Sequence, residues 1–185
     1  MAERKRLESV RTSNRTMGSN PILSVFILIL EMIHYQRYTS QYFQEVRSLI
    51  TNTIATLNRK DYTLSTLEIM ISWQNEKRLK EKFSNGTYFL ALSDEKVVGI
   101  GGLVGNEVCT MFVAPDFNGK GIGKEILKMI ESQAKSDKLQ KLILSSTLTA
   151  EKFYNSCGFS TTKRTIHKLD GNDFEVYEME KYLQN

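Results

Sequence analysis

Residues 113–124 read Val-Ala-Pro-Asp-Phe-Asn-Gly-Lys-Gly-Ile-Gly-Lys, with glycines at 119, 121 and 123 between an apolar β-type run and a helical pattern. Glycine at a strand-to-helix turn leaves the backbone N–H groups of the helix start free to point at an anion, and the helix dipole adds to the attraction. Phosphate recognition is the chemistry this spacing suits. Two common phosphate loops are excluded by counting. A nucleotide-triphosphate loop needs G-x-x-x-x-G-K-[ST], but Asn118 stands five before Gly123, and Glu125 stands where a magnesium-binding hydroxyl belongs. A dinucleotide fingerprint needs G-x-G-x-x-G, and from Gly119 and Gly121 the third position falls on Lys124. The two cysteines and two histidines fit neither a paired zinc-ligand spacing nor a disulfide framework. No histidine forms a recognisable pair with Cys109 or Cys157, so an acyl-cysteine route lacks its base and both thiols are expected in packing. His34 and His167 fall in strands and receive no role.

The elements around this turn follow from periodicity. Ile33–Arg37 reads as a strand; Ser40 precedes a helix with Phe43, Val46, Leu49, Ile50, Ile54 and Leu57 on one face. The capping-box spacing Ser65-x-x-Glu68 predicts a second helical region running to Phe83 and broken near Asn75. Residues 87–92 and 96–104 are β-rich runs across Ser93-Asp94-Glu95, and 108–113 adds a third strand ended by Pro115. Residues 120–135 carry Ile122, Ile126, Leu127, Ile130 and Ala134 at helical spacing. A strand at 139–144, a short helix capped by Thr149, and strands at 159–169 and 174–182 across Asp170-Gly171 complete the chain. The expected fold is mixed α/β, a mostly antiparallel sheet of about six or seven strands flanked by about four helices.

With the elements placed, the motifs gain company. Val113-x-Pro115 followed by Asn118-x-x-Gly121-x-Gly123 resembles motif A, [QR]-x-x-G-x-[GA], of the GNAT superfamily of N-acetyltransferases. Ala150-x-x-Phe153-Tyr154-x-x-x-Gly158-Phe159 matches its motif B at every fixed position. The resemblance covers residues 32–183 and implies acetyl transfer from acetyl-CoA to an amine, with no metal. The implied cofactor residues are Met111, Phe112 and Val113 along the strand before motif A, pairing with the pantetheine amides. Asn118, Gly119, Lys120, Gly121, Ile122, Gly123 and Lys124 are implied around the diphosphate. Tyr154, at the motif B tyrosine, is the implied donor to the leaving thiolate, and Glu107 occupies a place where some members put a base. A strand N–H is implied as the oxyanion donor. There are two departures. Asn118 replaces the longer Gln or Arg and loses reach, and Thr147 stands where an asparagine often contacts the pantetheine arm. The alternative is a non-catalytic acyl-CoA-binding or regulatory domain of the same fold, and Asn118 is the residue that favours it.

Composition bounds the rest. At 185 residues, 41% hydrophobic and 25% charged, the chain suits one packed domain. The net charge of +4 hints at an acidic partner, yet five basic residues against two acidic ones within residues 1–20 supply most of it. The remainder makes a poor nucleic-acid footprint, and no nucleic-acid partner is expected. Residues 1–31 read as a basic leader with a short apolar segment at 21–30, below the roughly 18 to 20 residues a membrane span needs, so no membrane partner is expected either. Translation starting at Met17 or Met32 would leave that leader out. Residues 32–185 form the expected enzyme domain, cytoplasmic, acting on a small-molecule or peptide amine, with room for a homodimer.

Overall fold

The computed structural model describes residues 33–169 and 171–184; the expectations for the leader at 1–31 and for Asp170 lie outside the described residues. Seven strands form one sheet: β1 (Ile33–Arg37), β2 (Thr87–Ser93), β3 (Lys96–Val104), β4 (Glu107–Val113), β5 (Lys141–Thr147), β6 (Ser160–Leu169) and β7 (Asn172–Tyr182). Their order is β1-β2-β3-β4-β5-β7-β6, and every pairing is antiparallel except β4 with β5. Among the described residues five α-helices accompany it: α1 (Phe43–Leu57), α2 (Leu64–Ser72), α3 (Glu76–Ser84), α4 (Ile122–Ser136) and α5 (Glu151–Ser156). This is the mixed, mostly antiparallel architecture expected.

Two apolar layers hold it together. Phe43, Val46, Ile50 and Ile54 of α1, Leu67 of α2 and Leu79 and Phe83 of α3 pack on Tyr88, Leu90 and Ile100. On the opposite face Ile122, Ile126, Leu127, Ile130 and Ala134 of α4 pack on Phe89, Ala91, Val108, Leu142 and Met179. Alternation along β2 divides its side chains between the layers, which is why both of its faces are apolar. Asp94 and Glu95 both have positive φ, 47° and 65°, the geometry of a two-residue hairpin turn that follows strand twist.

Two expected caps differ. The cap of α2 is Thr63, whose Oγ1 accepts the Thr66 N–H at 3.3 Å, not Ser65, because helical turns begin at Leu64. Thr149 caps nothing; its hydroxyl donates to Asp61 Oδ2, and a 3-10 turn (Leu148–Ala150) leads into α5 without a side-chain cap. The break near Asn75 is where Asn75 Oδ1 accepts the Arg78 N–H and starts α3.

Candidate active site

The site is built where the sheet stops pairing. β4 and β5 are parallel, and their register contains one pair, Glu107 with Ile143, reinforced by the Ile143 N–H donating to Asn106 O at 3.0 Å. Beyond that rung β4 and β5 form no further pairs, so on this side the Cys109–Val113 stretch of β4 is left unpaired along a gap in the ladder. Those backbone groups need partners that β5 does not supply. On its other side β4 is bulged: Ile100 pairs Phe112 and Gly102 pairs Cys109, so Thr110 and Met111 together oppose Gly101. Thr110 takes φ of +56°, a strained state for a β-branched residue. A bulge redirects backbone N–H groups out of the ladder, which is how a strand can offer a donor to a ligand. Gly101 permits this, since a Cβ there would lie 2.1 Å from Met111 Sδ and 2.5 Å from Ile126 Cγ2.

After Val113 the chain turns through Pro115–Phe117 into the glycine segment. Gly119 and Gly121 have φ of +76° and +85°, and a Cβ at either would meet nothing within 4 Å. The demand for glycine is therefore conformational, and the space above the turn is open. Lys124 and Glu125 donate to Gly121 O, leaving the N–H groups of Gly121, Ile122 and Gly123 without an acceptor among the described residues. Orphan donors facing open space at a helix N-terminus fit a diphosphate. Gly123 differs: its φ is helical, and a Cβ would approach the Phe153 ring at 3.2 Å, so it lets α4 pack against the motif B phenylalanine. Asn118 Oδ1 accepts the Gly119 N–H at 3.0 Å. The short side chain thus bonds locally and takes one donor away from any ligand. Lys120 Nζ lies 4.7 Å over the Phe117 ring, and Lys124 is exposed.

Across the gap Tyr154 is buried on α5 between Phe153 and Phe159, with ring centroids 5.0 and 5.6 Å away. Burial first, and the nearby Cys109 and Cys157 thiols second, push its phenol well above the ordinary tyrosine range. It stays protonated at neutral pH and has a proton to donate in a hydrogen bond. Cys109 is buried and Cys157 half-buried, both free. Met111, Phe112 and Val113 are half-buried along β4, and Glu107 is exposed at the closed end of the β4–β5 pair. The elements thus bring the glycine turn, the bulged β4 and Tyr154 to one gap, with Glu107 at its margin.

Sequence reasoning did not single out three residues whose contacts stand out in and around these elements. Tyr88 covers Gly102, and its buried hydroxyl donates to Lys82 O at 3.2 Å and meets Cys109 Sγ at 3.4 Å. Thr110 Oγ1 is buried without a hydrogen bond among the described residues. Tyr62, between α1 and α2, donates to Glu175 O at 2.7 Å and accepts the Leu148 N–H at 3.0 Å. The glycines at 99, 101 and 102 were the one available signal, marking a strand approached closely on both faces. Among the described residues no group of His, Cys, Asp or Glu is arranged to hold a metal, and no helix is long and apolar enough to cross a membrane.

Residues 58–183 match the family model described as the acetyltransferase (GNAT) domain. An uncharacterized N-acetyltransferase of Escherichia coli, YafP, is 22% identical over 80% of this chain and 94% of its own. A GCN5-related N-acetyltransferase structure from Rhodopseudomonas palustris superposes with a TM-score of 0.78 at 19% identity, over 81% of this chain and 95% of that one. The PaiA N-acetyltransferase of Thermoplasma acidophilum, solved in complex with coenzyme A, superposes with a TM-score of 0.67 at 18% identity, over 81% and 98%.

Proposed function

Because the chain belongs to the GNAT acetyltransferase family, we propose that it transfers an acetyl group from acetyl-CoA to a primary amine, directly, in a ternary complex. The observation that carries this reading is the coincidence of three features at one gap: orphan N–H groups of the glycine turn, the unpaired side of a bulged β4, and a buried, protonated Tyr154. The complex of the Thermoplasma relative with coenzyme A supports the choice of ligand.

Bound acetyl-CoA supplies a thioester whose carbonyl carbon accepts the amine. The N–H groups of Gly121, Ile122 and Gly123 hold the diphosphate, with Lys120 and Lys124 adding charge nearby. Main-chain groups of Met111, Phe112 and Val113 pair with the pantetheine amides, so the ligand extends the sheet at β4. An N–H turned outward at the Thr110 bulge donates to the carbonyl oxygen as the C–N bond forms. Glu107, at the margin of the gap, accepts the amine's proton through water. Tyr154 donates to sulfur as the C–S bond breaks. Its pKa lies above about 10 and that of an ordinary thiol near 8.5, so complete proton transfer runs uphill by at least about 2 kcal/mol. Tyr154 therefore stabilises the departing thiolate by hydrogen bonding, and the proton that ends on sulfur originates from the amine.

The acceptor is an amine selected by the helices and loop of residues 40–83 together with the β6–β7 hairpin. Thiol release across a panel of amines, wild type against Tyr154→Phe, tests the reading. Loss of about 10- to 100-fold in kcat with little change in the KM for acetyl-CoA is expected for one hydrogen bond made mainly in the transition state. Unchanged turnover on the best acceptor removes Tyr154 from the mechanism. Binding of acetyl-CoA without thiol release on any amine favours the non-catalytic alternative.

A further inference from the structure

The α1–α2 connection, distant in sequence, is bonded to the turn that carries Tyr154. Tyr62 Oη donates to Glu175 O of β7 at 2.7 Å and accepts the N–H of Leu148 at 3.0 Å. Its neighbour Asp61 accepts the hydroxyl proton of Thr149 on Oδ2. Leu148 and Thr149 form the 3-10 turn (Leu148–Ala150) that enters α5. That helix has six residues and no side-chain cap, too short to hold its own orientation. Its direction is set by what grips its ends. At the far end Phe159 N–H and Cys157 N–H return to Tyr154 O. At the entry, Asp61 and Tyr62 grip the turn from outside the segment, and Thr161 of β6 donates to Glu151 Oε1 at 3.1 Å on the first residue of the helix.

The Tyr62 ring also reaches the β6–β7 hairpin, 6.5 Å edge-on from Phe174, which in turn stands 5.6 Å from His167. One side chain thus touches β7, the entry turn of α5 and the aromatic pair on the hairpin. Burial raises the Tyr62 phenol, while the Leu148 N–H opposes the rise; the hydroxyl remains a donor to Glu175 O and an acceptor from Leu148 at neutral pH.

We infer that Tyr62 and Asp61 are positioning residues for Tyr154. They latch the α1–α2 connection to the α5 entry turn, so that the Tyr154 hydroxyl meets the leaving sulfur at hydrogen-bond distance. The inference rests on the proposed role of Tyr154. A displacement of about 1 Å at such a contact is enough to cost on the order of 100-fold in rate.

A probe that needs no acceptor is coenzyme A itself. A phenol hydrogen-bonded to sulfur favours the thiolate, so the bound thiol ionises at lower pH than the free one. Thiolate absorbance, taken as the difference between coenzyme-loaded and free protein across pH, reads this directly. Expected for Tyr154→Phe is a loss of about tenfold in the ionisation constant of the bound thiol. Expected for Tyr62→Phe and for Asp61→Ala is a loss of about threefold or more in that constant, at unchanged coenzyme affinity, because the glycine turn is untouched. Asp61→Asn keeps an acceptor oxygen for Thr149 and restores the wild-type value. In the Tyr154→Phe background the Tyr62→Phe change has no further effect, since the route it acts through is gone. Thermal unfolding of each variant verifies that it is folded. A bound thiol whose ionisation is the same in wild type and folded Tyr62→Phe, or an equal effect of Tyr62→Phe with and without Tyr154, overturns the latch. An unshifted titration in Tyr154→Phe overturns the proposed donor and the latch together, which is separable from failure of the latch alone.

Discussion

Gly121→Ala separates backbone direction from side-chain chemistry at the diphosphate turn. Alanine brings no clash, because nothing lies within 4 Å of its Cβ. What it brings is a left-handed conformation, φ +85°, costing about 1–2 kcal/mol for an L-residue. Reduced freedom in the unfolded chain returns about 0.4–1 kcal/mol. Net stability therefore falls by about 0–1.6 kcal/mol, a Tm change of at most about 3–6 °C in a chain this size. Binding is more sensitive. Relaxing φ toward the right-handed region swings the N–H groups of Gly121 and Ile122 away from the open side of the turn. A hydrogen bond to a charged oxygen is worth about 1.5–3 kcal/mol, so losing one weakens coenzyme A by about 10- to 100-fold. Calorimetric titration with coenzyme A and with pantetheine, which lacks the diphosphate, makes the comparison. Affinity for the first falls and for the second holds. Gly123→Ala is the control: its φ is already helical and its Cβ meets the Phe153 ring at 3.2 Å, so it strains packing while keeping the N–H direction. A folded Gly121→Ala protein that binds coenzyme A as tightly as wild type refutes the backbone cradle.

Gly101→Ala places a Cβ 2.1 Å from Met111 Sδ and 2.5 Å from Ile126 Cγ2; overpacking of about 1–3 kcal/mol or more is expected, read as a lowered midpoint in urea unfolding, and a wild-type midpoint contradicts it. Stability falls at alkaline pH. Tyr88 and Tyr154 are buried with pKa values raised mainly by desolvation, so above pH 10 the unfolded chain releases protons that the folded one keeps. Each phenol then removes about 1.4 kcal/mol per pH unit. Both contributions are complete below the unfolded pKa near 10 and shrink steadily above it. Urea midpoints that hold level from pH 9 through pH 11 contradict this sign.

The glycine turn and the helix after it were legible because they depend on local backbone geometry and periodicity. Gly119 and Gly121 advertise a left-handed turn, and the apolar face of α4 lies on Ile122, Ile126, Leu127, Ile130 and Ala134 as its period predicts. The caps were less legible, since Thr63 and Ser65 are equally good cap residues and only packing chooses between them. The bulge at Thr110 was invisible: its sequence, Cys-Thr-Met-Phe, is ordinary β sequence, and the unusual φ is imposed by the Gly101 register. Tyr62 and Thr149 were invisible for another reason. Their partners lie 86 to 113 residues away, and a hydrogen bond between distant segments leaves no period in the chain.

The single rung between Glu107 and Ile143 makes this sheet two leaves, β1–β4 and β5–β7–β6, on one hinge. Beneath the hinge the α4 layer spans both leaves, packing on Val108 of one and Leu142 and Met179 of the other. The leaves are therefore joined by an apolar contact without fixed direction rather than by a hydrogen-bonded ladder. Small rotations about the rung would cost few directional bonds. A ligand that pairs with β4 stitches the leaves from within. Amide hydrogens of Cys109–Val113, open to exchange on the unpaired side, then become among the slowest in the sheet, and substrate binding is felt by the protein as completion of its fold.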